Sequence, residues 1–587
     1  MSDTQHDLLI EAHLEHSSPQ IYPAINLIQS LATTGKPLPQ SSYNILLTHL
    51  TSTQSTSQTR SLARDLFANM RLTAHATPTP AIYSTMISAC SSSKDPQPER
   101  ARDLWIELNE STSPERTEYD AIIKALSSTK TTYLEAFDLF RQMLAKHTEA
   151  TFIPFDESTN SDMERWSRFI PTSETFNALL EGTKRAGDLN RARWVLNEVV
   201  KLQGGARGWK GVNEELMSGV FMTYASWKPV VKRQLVRRAA PVGSAESNME
   251  KSIDEIQNPS ETTPPPTEPQ VDLDQIRDHP DSMMEPSSPT HTAPQTSADA
   301  IREAKVLFDQ IINDTLHEGS GPFTNIRLTT RLINSYLFVH LAHAPSISSA
   351  KEAWNETWST LSENGVKMNG WSMMQVLERC AAGEQGKDRD EATAWARAIW
   401  DEYLIFTEEN LDRSQSLGKE RMYTLGLGPR QIERSCKSII RALSLSPSTP
   451  VEDPISLLNT FHTLYPPSTI LDGYSATPPT PFQIRMTDRT RLAESDIPPN
   501  ILFGDVDVLH QRLVREGRKE LGWLKWVCKS YEVALRKRRR WRLKGRGEEG
   551  RRRRPKRVNG VVQEGIEAEE SDEENEQWEA EMEGDQR

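Results

Sequence analysis

Cysteine is scarce: Cys90, Cys380, Cys436 and Cys528 are the only four among 587 residues, and they lie far apart. That spacing fits neither a disulfide framework nor a zinc site, which makes a reducing compartment the default. Apolar runs are short. None reaches the roughly 18 residues that a transmembrane helix needs. Phosphate loops of the GxxxxGK[ST] or GxGxxG kind are missing, as are HExxH and CxxC. The 13 histidines are scattered, and His49, His317, His340 and His462 fall in helical segments, where they read as packing or surface residues. No series of strands exists from which to build an α/β catalytic core. These absences point to a protein without a catalytic site, metal or cofactor. Apolar residues make up only 36% of the chain, so disordered segments are expected beside the packed core. The net charge of −13 by itself argues against nucleic acid, but the charge is unevenly spread.

What is present is helical periodicity. Residues 172–201 read as two amphipathic helices. Phe176, Leu179, Leu180 and Thr183 share one face of the first, and Ala192, Val195, Leu196 and Val199 share one face of the second. Gly187 supplies the turn, and Asp188 caps the second helix. Such a pair cannot bury its apolar stripes alone, so it predicts neighbours of the same kind. Tyr43-Asn44, Tyr83-Ser84, Tyr119-Asp120 and Phe176-Asn177 each open a first helix. The second helices align Ala63, Ala101, Ala136 and Ala192, followed four positions on by Phe67, Trp105, Phe140 and Leu196. Pro78, Pro114 and Pro171 close three units. The opening aromatics are 40, 36 and 57 residues apart, a period near 35 carrying insertions.

The Tyr-Asn opening, the Leu-Phe-x-x-Met ending of the second helix and the late proline resemble the pentatricopeptide repeat family. The resemblance covers roughly residues 40–410 and is strongest over 40–200. It implies an all-α, right-handed solenoid, here of about seven or eight helix pairs.

The chain divides accordingly. Residues 1–39 read as a degenerate capping pair and 40–240 as repeats, with a surface loop over about 144–170. Residues 241–299 hold ten prolines with many Ser, Thr and Glu, and read as a disordered insertion. The helix at 301–312, with Ala304 and Phe308 in repeat positions, supplies the missing partner of 213–225. One repeat split by the insertion is the preferred reading; two solenoids joined by a linker is the other. Helical repeats continue over 300–465, an irregular linker covers 466–504, and one helix spans 505–543. A charged tail fills 544–587. From Arg536 to Arg557 there are 14 basic and two acidic residues, and from Glu564 to Asp585 there are 12 acidic residues and no basic one. The basic block suits phosphates, with Trp541 able to stack on a base, and it also reads as a nuclear localisation run.

The family resemblance implies non-catalytic, sequence-selective binding of single-stranded RNA, one base per repeat. Two side chains would read each base: the residue after the opening aromatic and the residue after the closing proline. On this chain the pairs are Asn44 with Thr79, Ser84 with Glu115, Asp120 with Thr172, Asn177 with Asn213, Ser218 with Asn325, and Thr330 with Asn369. The last three imply the order pyrimidine-A-A. Glu115 and Asp120 depart from the family's pattern, which points units two and three towards packing or a protein partner. Lys124, Lys184, Arg185, Arg327 and Arg331 are candidates for a basic stripe beside the row. The resemblance further implies a monomer in the mitochondrial matrix that acts on mRNA or rRNA in RNA processing, rRNA maturation or translation, with the small ribosomal subunit as a partner. The alternatives are a protein-binding scaffold, a structural ribonucleoprotein subunit and, from the basic tail, a nuclear location. An Arg-rich presequence is not visible: Asp3, Asp7, Glu11 and Glu15 precede the first Lys, Lys36, and the first Arg, Arg60. Import by another signal and a start upstream of Met1 are the two ways to reconcile that with the matrix.

Overall fold

The computed structural model describes residues 3–15, 21–52, 57–92, 95–152, 169–203, 211–229, 294–316, 321–382, 388–414, 419–471 and 497–552. Among these the regular elements are all helical. They come in successive pairs: α1 (Asp3–Leu14) with α2 (Ile21–Thr33), α3 (Gln40–Thr51) with α4 (Ser57–Thr73), and α5 (Pro80–Ala89) with α6 (Pro98–Ser111). Next are α7 (Arg116–Leu126) with α8 (Tyr133–Phe152), α9 (Ser173–Ala186) with α10 (Leu189–Gln203), and α11 (Glu214–Ser226) with α12 (Ser297–Leu316). Then come α13 (Thr330–His343) with α14 (Ile347–Ser362), and α15 (Gly370–Ala382) with α16 (Asp388–Ser414). A short α17 (Lys419–Leu425) precedes α18 (Pro429–Leu445) with α19 (Glu452–Leu464), and α20 (Asp507–Glu516) with α21 (Glu520–Arg552) closes the series.

Each first helix packs on the first helix of the next pair, from α1 through to α20. The second helices form the other layer, giving a two-layer α-solenoid. Ten pairs are present among the described residues where the repeat period predicts seven or eight. The extra ones lie mainly at the C-terminal end, where the repeat's marker residues have faded and only amphipathicity remains.

Packing explains the repeat's sequence. Ala63, Ala101, Ala136, Ala192 and Ala304 are buried, because a small side chain lets the second helix approach its neighbours closely. The aromatic four positions on reaches forward to the next pair. Phe67 meets Tyr83 at 6.3 Å between ring centroids, Trp105 meets Tyr119 at 4.9 Å, and Phe140 meets Phe176 at 5.3 Å, all edge-on. Phe308 lies flat on Tyr336 at 3.9 Å. Leu196 cannot make such a contact and is only half-buried.

Two conformational details fix the turns. Gly187 has φ +69° at the end of α9, and a Cβ there would come within 2.9 Å of the Ser226 carbonyl oxygen, so both the backbone and the close approach demand glycine. Gly517, at φ +62°, ends α20. The single helix read over 505–543 is therefore two, because the left-handed residue redirects the chain, and α21 then continues to Arg552.

Other differences arise from burial. Helix α8 runs to Phe152, and Phe169, read as part of a surface loop, is buried edge-on against Tyr119 at 5.6 Å. The end of the 466–504 segment is also packed: Ile501 is buried, and Asn500 donates from its backbone N and its Nδ2 to Glu433 Oε1. Residues 230–293 lie outside the described residues, as do 553–587.

Across that interval the stack is continuous. Helix α11 packs on α13 directly, and Phe221 contacts both Phe308 of α12 and Tyr336 of α13. Arg193 of α10 pairs with Glu303 of α12 at 2.8 Å. His343 Nε2 lies 2.8 Å from the Tyr224 carbonyl oxygen, to which it donates. Because these contacts do not depend on the connecting chain, cutting the backbone once within 230–293 should leave the two fragments associated. Co-elution after cleavage at an inserted protease site checks this; separation in low salt would contradict it. Phe140→Ala should cost about 3–5 kcal/mol in urea unfolding, since it empties a fully buried inter-pair contact.

Candidate nucleic-acid interface

The first helices share a common start. Thr79, Glu115, Thr172 and Asn213 are the N-caps of α5, α7, α9 and α11. Two of these caps accept through their side chains: Thr172 Oγ1 from Thr175 N, and Asn213 Oδ1 from Leu216 N at 2.9 Å. The residue after the opening position is then the fifth of its helix: Asn44, Ser84, Asp120, Asn177 and Ser218 in α3, α5, α7, α9 and α11.

These fifth residues sit on the seams between successive first helices. Asn44 Oδ1 accepts from Thr85 Oγ1 at 2.9 Å, and Ser84 Oγ donates to the Thr117 carbonyl at 3.4 Å. Asp120 Oδ1 accepts from Thr175 Oγ1 at 2.5 Å. Asn177 Nδ2 donates to Glu215 Oε2 at 3.1 Å. Asp7 of α1, which sequence reasoning passed over, accepts from Ser41 and Ser42 of α3 in the same way. Asn44, Ser84, Asp120 and Asn177 are half-buried, so each seam bond leaves part of the side chain accessible.

Further along, the row closes. Ser218 is 4% exposed, and its hydroxyl donates to the Glu214 carbonyl of its own helix at 2.8 Å. Thr330 is out of register: it is the first residue of α13, with its hydroxyl donating to the Lys367 carbonyl. Asn325 is exposed and lies in the turn before α13, whose N-cap is Thr329, accepting from Leu332 N. Both residues are displaced by one helical turn from the positions they were given. Thr329 and Asn334 hold those positions instead. Asn334 is 6% exposed and donates to Asn369 Oδ1 at 3.3 Å. Asn369 also accepts from Ser372 N at 3.1 Å, so it serves as a cap. The pyrimidine-A-A assignment therefore does not stand, because it needs Asn325 and Thr330 in the reading register. The sequence signal for Asn334 was the apolar phase of Leu332, Ile333, Tyr336 and Leu337, all buried. Trp541 falls within the span of α21, but its side chain lies outside the described residues.

The two layers differ in chemistry. Second helices are tied by charge, as in Arg71–Glu107 at 2.5 Å and Arg102–Glu135 at 2.8 Å. First helices from α3 to α7 are tied by neutral amide and hydroxyl groups. From α11 onward charge returns to the first-helix layer, in Arg331–Glu215 at 3.4 Å, Arg434–Glu378 at 2.7 Å and Arg441–Asp507 at 3.3 Å. Of the basic candidates, Lys184 and Arg185 both pair with Glu181, and Arg331 with Glu215 at 3.4 Å. Lys124 and Arg327 are exposed and make no ion pair among the described residues.

No family model matches the sequence, and no curated protein matches it. Among solved structures, the chain is similar to the pentatricopeptide repeat protein PPR10 in complex with an 18-nt psaJ RNA element, and to a triple Cys-to-Ser variant of it with the same element. Each match has a TM-score of 0.33 and 12% identity, and covers 91% of this chain and 61% of the other. This chain thus spans under two thirds of that neighbour's length.

Asp120 carries a measurable consequence. Burial pushes its carboxyl up to about 6, against the opposing pull of Thr175 and Arg116. Its folded value exceeds the unfolded one, so the ionised group costs stability above about pH 6, and protonation restores that stability as the pH falls. Asp120→Asn should therefore stabilise by about 1–3 kcal/mol near pH 7.5 and by well under about 1 kcal/mol near pH 4, because the cost is relieved between the folded value of about 6 and the ordinary value of 3.8. Urea unfolding at the two pH values checks the sign.

Proposed function

We propose that the chain is a non-catalytic binder of single-stranded RNA, with bases read along the first-helix layer between α3 and α11. The observation that carries this reading is the row of half-buried small polar groups, one per pair, at Asn44, Ser84, Asp120 and Asn177. Amides and hydroxyls suit base edges because they donate and accept over a short reach. The second reader on this reading is the N-cap residue of the following pair, Thr79 after Asn44 and Asn213 after Asn177. By the resemblance to pentatricopeptide repeats, Asn177 with Asn213 selects a pyrimidine. Ser218, Asn334 and Asn369 act mainly in packing and capping, which confines base selection to the N-terminal half.

The same resemblance supports a setting in the mitochondrial matrix, in RNA processing, rRNA maturation or translation, with the small ribosomal subunit as a partner. A second reading has its own observation. Glu174 and Glu215 are exposed on the layer that holds Asn177, and such carboxylates repel phosphate. They favour a basic protein segment over this face.

The test is equilibrium binding of the full chain to oligonucleotides that differ at one base, across a salt series. Asn177→Ala with Asn213→Ala should erase a preference of about 1–3 kcal/mol for pyrimidine at one position. Unchanged base preference in the double variant would overturn the reading. Absence of RNA binding at low salt would favour the protein-scaffold reading.

A further inference from the structure

Away from the first-helix row, the junction of α4, α5 and α6 contains a small open cleft. Arg60, Arg64 and Arg100 line it, with Asp95 and Gln97 at the side and buried Cys90 in its wall. The two α4 arginines are one helical turn apart, so both point the same way. Arg100 comes from the first turn of α6.

These three arginines converge on one space in neutral company. Many other guanidinium groups meet carboxylates, as Arg71 meets Glu107, Arg102 meets Glu135 and Arg193 meets Glu303, and others such as Arg379 and Arg389 are taken up by backbone carbonyls. Arg60 instead donates to the Ser92 hydroxyl at 2.7 Å, and Arg64 to Gln97 Oε1 at 3.4 Å, both neutral acceptors. Arg60, Arg64 and Arg100 make no ion pair among the described residues. The one carboxylate in the lining, Asp95, is exposed and accepts from Gln97 Nε2 at 2.9 Å. Three half-buried positive charges thus face one concave space against a single negative charge.

We propose that this cleft binds a phosphoryl group, held by Arg64 and Arg100 with Arg60 behind them. Guanidinium forks match phosphate oxygens in pairs, and the neutral partners of Arg60 and Arg64 can be exchanged without uncovering a buried carboxylate. The group is either free phosphate or the terminal phosphate of a strand, and the site stands independently of base reading in the neighbouring layer.

The experiment uses the full chain in two arms. First, inorganic phosphate is titrated at constant ionic strength, with sulfate and chloride as controls, and thermal unfolding is followed. The wild-type protein should show saturable stabilisation, and Arg64→Gln with Arg100→Gln should weaken it about 10- to 100-fold. Arg64→Lys should retain part of it, which separates loss of the site from loss of the fold; circular dichroism checks the fold directly. Second, an oligonucleotide with and without a 5′-phosphate is compared. Affinity that depends on the phosphate and vanishes in the double variant identifies a strand end as the source. Equal affinity, alongside saturable inorganic phosphate binding, identifies free phosphate. Stabilisation that tracks ionic strength alone, with no dependence on a terminal phosphate, overturns the site whether or not RNA binds elsewhere.

Discussion

Everything in this molecule depends on the contact by which a second-helix aromatic seats itself on the aromatic of the next first helix. Phe67–Tyr83, Trp105–Tyr119 and Phe140–Phe176 repeat it over the N-terminal half, and Phe308–Tyr336 makes the same join beyond the long interruption. Each contact is worth about 0.5–1.5 kcal/mol beyond the area it buries. Its larger effect is geometric. It sets the rotation from pair to pair, and hence which first-helix residue reaches the seam. Without a constant rotation, Asn44 and Asn177 would not occupy equivalent places.

The two layers divide the remaining work. Ion pairs between second helices hold the other layer. The seam between first helices, from α3 to α7, is held by groups that keep unused donors and acceptors, since an amide or hydroxyl makes more than one bond. That leaves the seam available to a ligand. The arginines without carboxylate partners at the α4–α5–α6 junction extend the same logic to phosphate. Farther along, α15, α18 and α20 fill their seams with ion pairs, and Ser218 and Asn334 are covered.

Much of this was legible in the sequence where the markers are dense. The opening Tyr or Phe, the buried Ala and the following aromatic lie at fixed offsets because each meets the same neighbour in every pair. Helix pairing across 230–293 was readable from Ala304 and Phe308 for that reason. The register of α13 was harder to read. Asn325, Thr329 and Thr330 are all competent caps, and both Asn325 to Thr330 and Thr329 to Asn334 keep the same separation. The caps alone do not choose between these registers; the apolar phase of Leu332, Ile333, Tyr336 and Leu337 favours Thr329, and contact between Tyr336 and Phe221 selects it. The break at Gly517 was hidden because the apolar phase runs past it, from Leu513 to Leu524. Phe169 looked like a loop residue because its partner, Tyr119, is fifty positions away in the chain.

The central claim is that one pair presents one reader to one nucleotide. It is tested most directly by placing a photo-crosslinking residue at position 44 in one variant and at position 177 in another, and mapping the attached base in the same RNA. Helices α3 and α9 are three pairs apart. The account predicts crosslinks three nucleotides apart, in fixed polarity. Crosslinks at a shared nucleotide, or scattered without register, would contradict it.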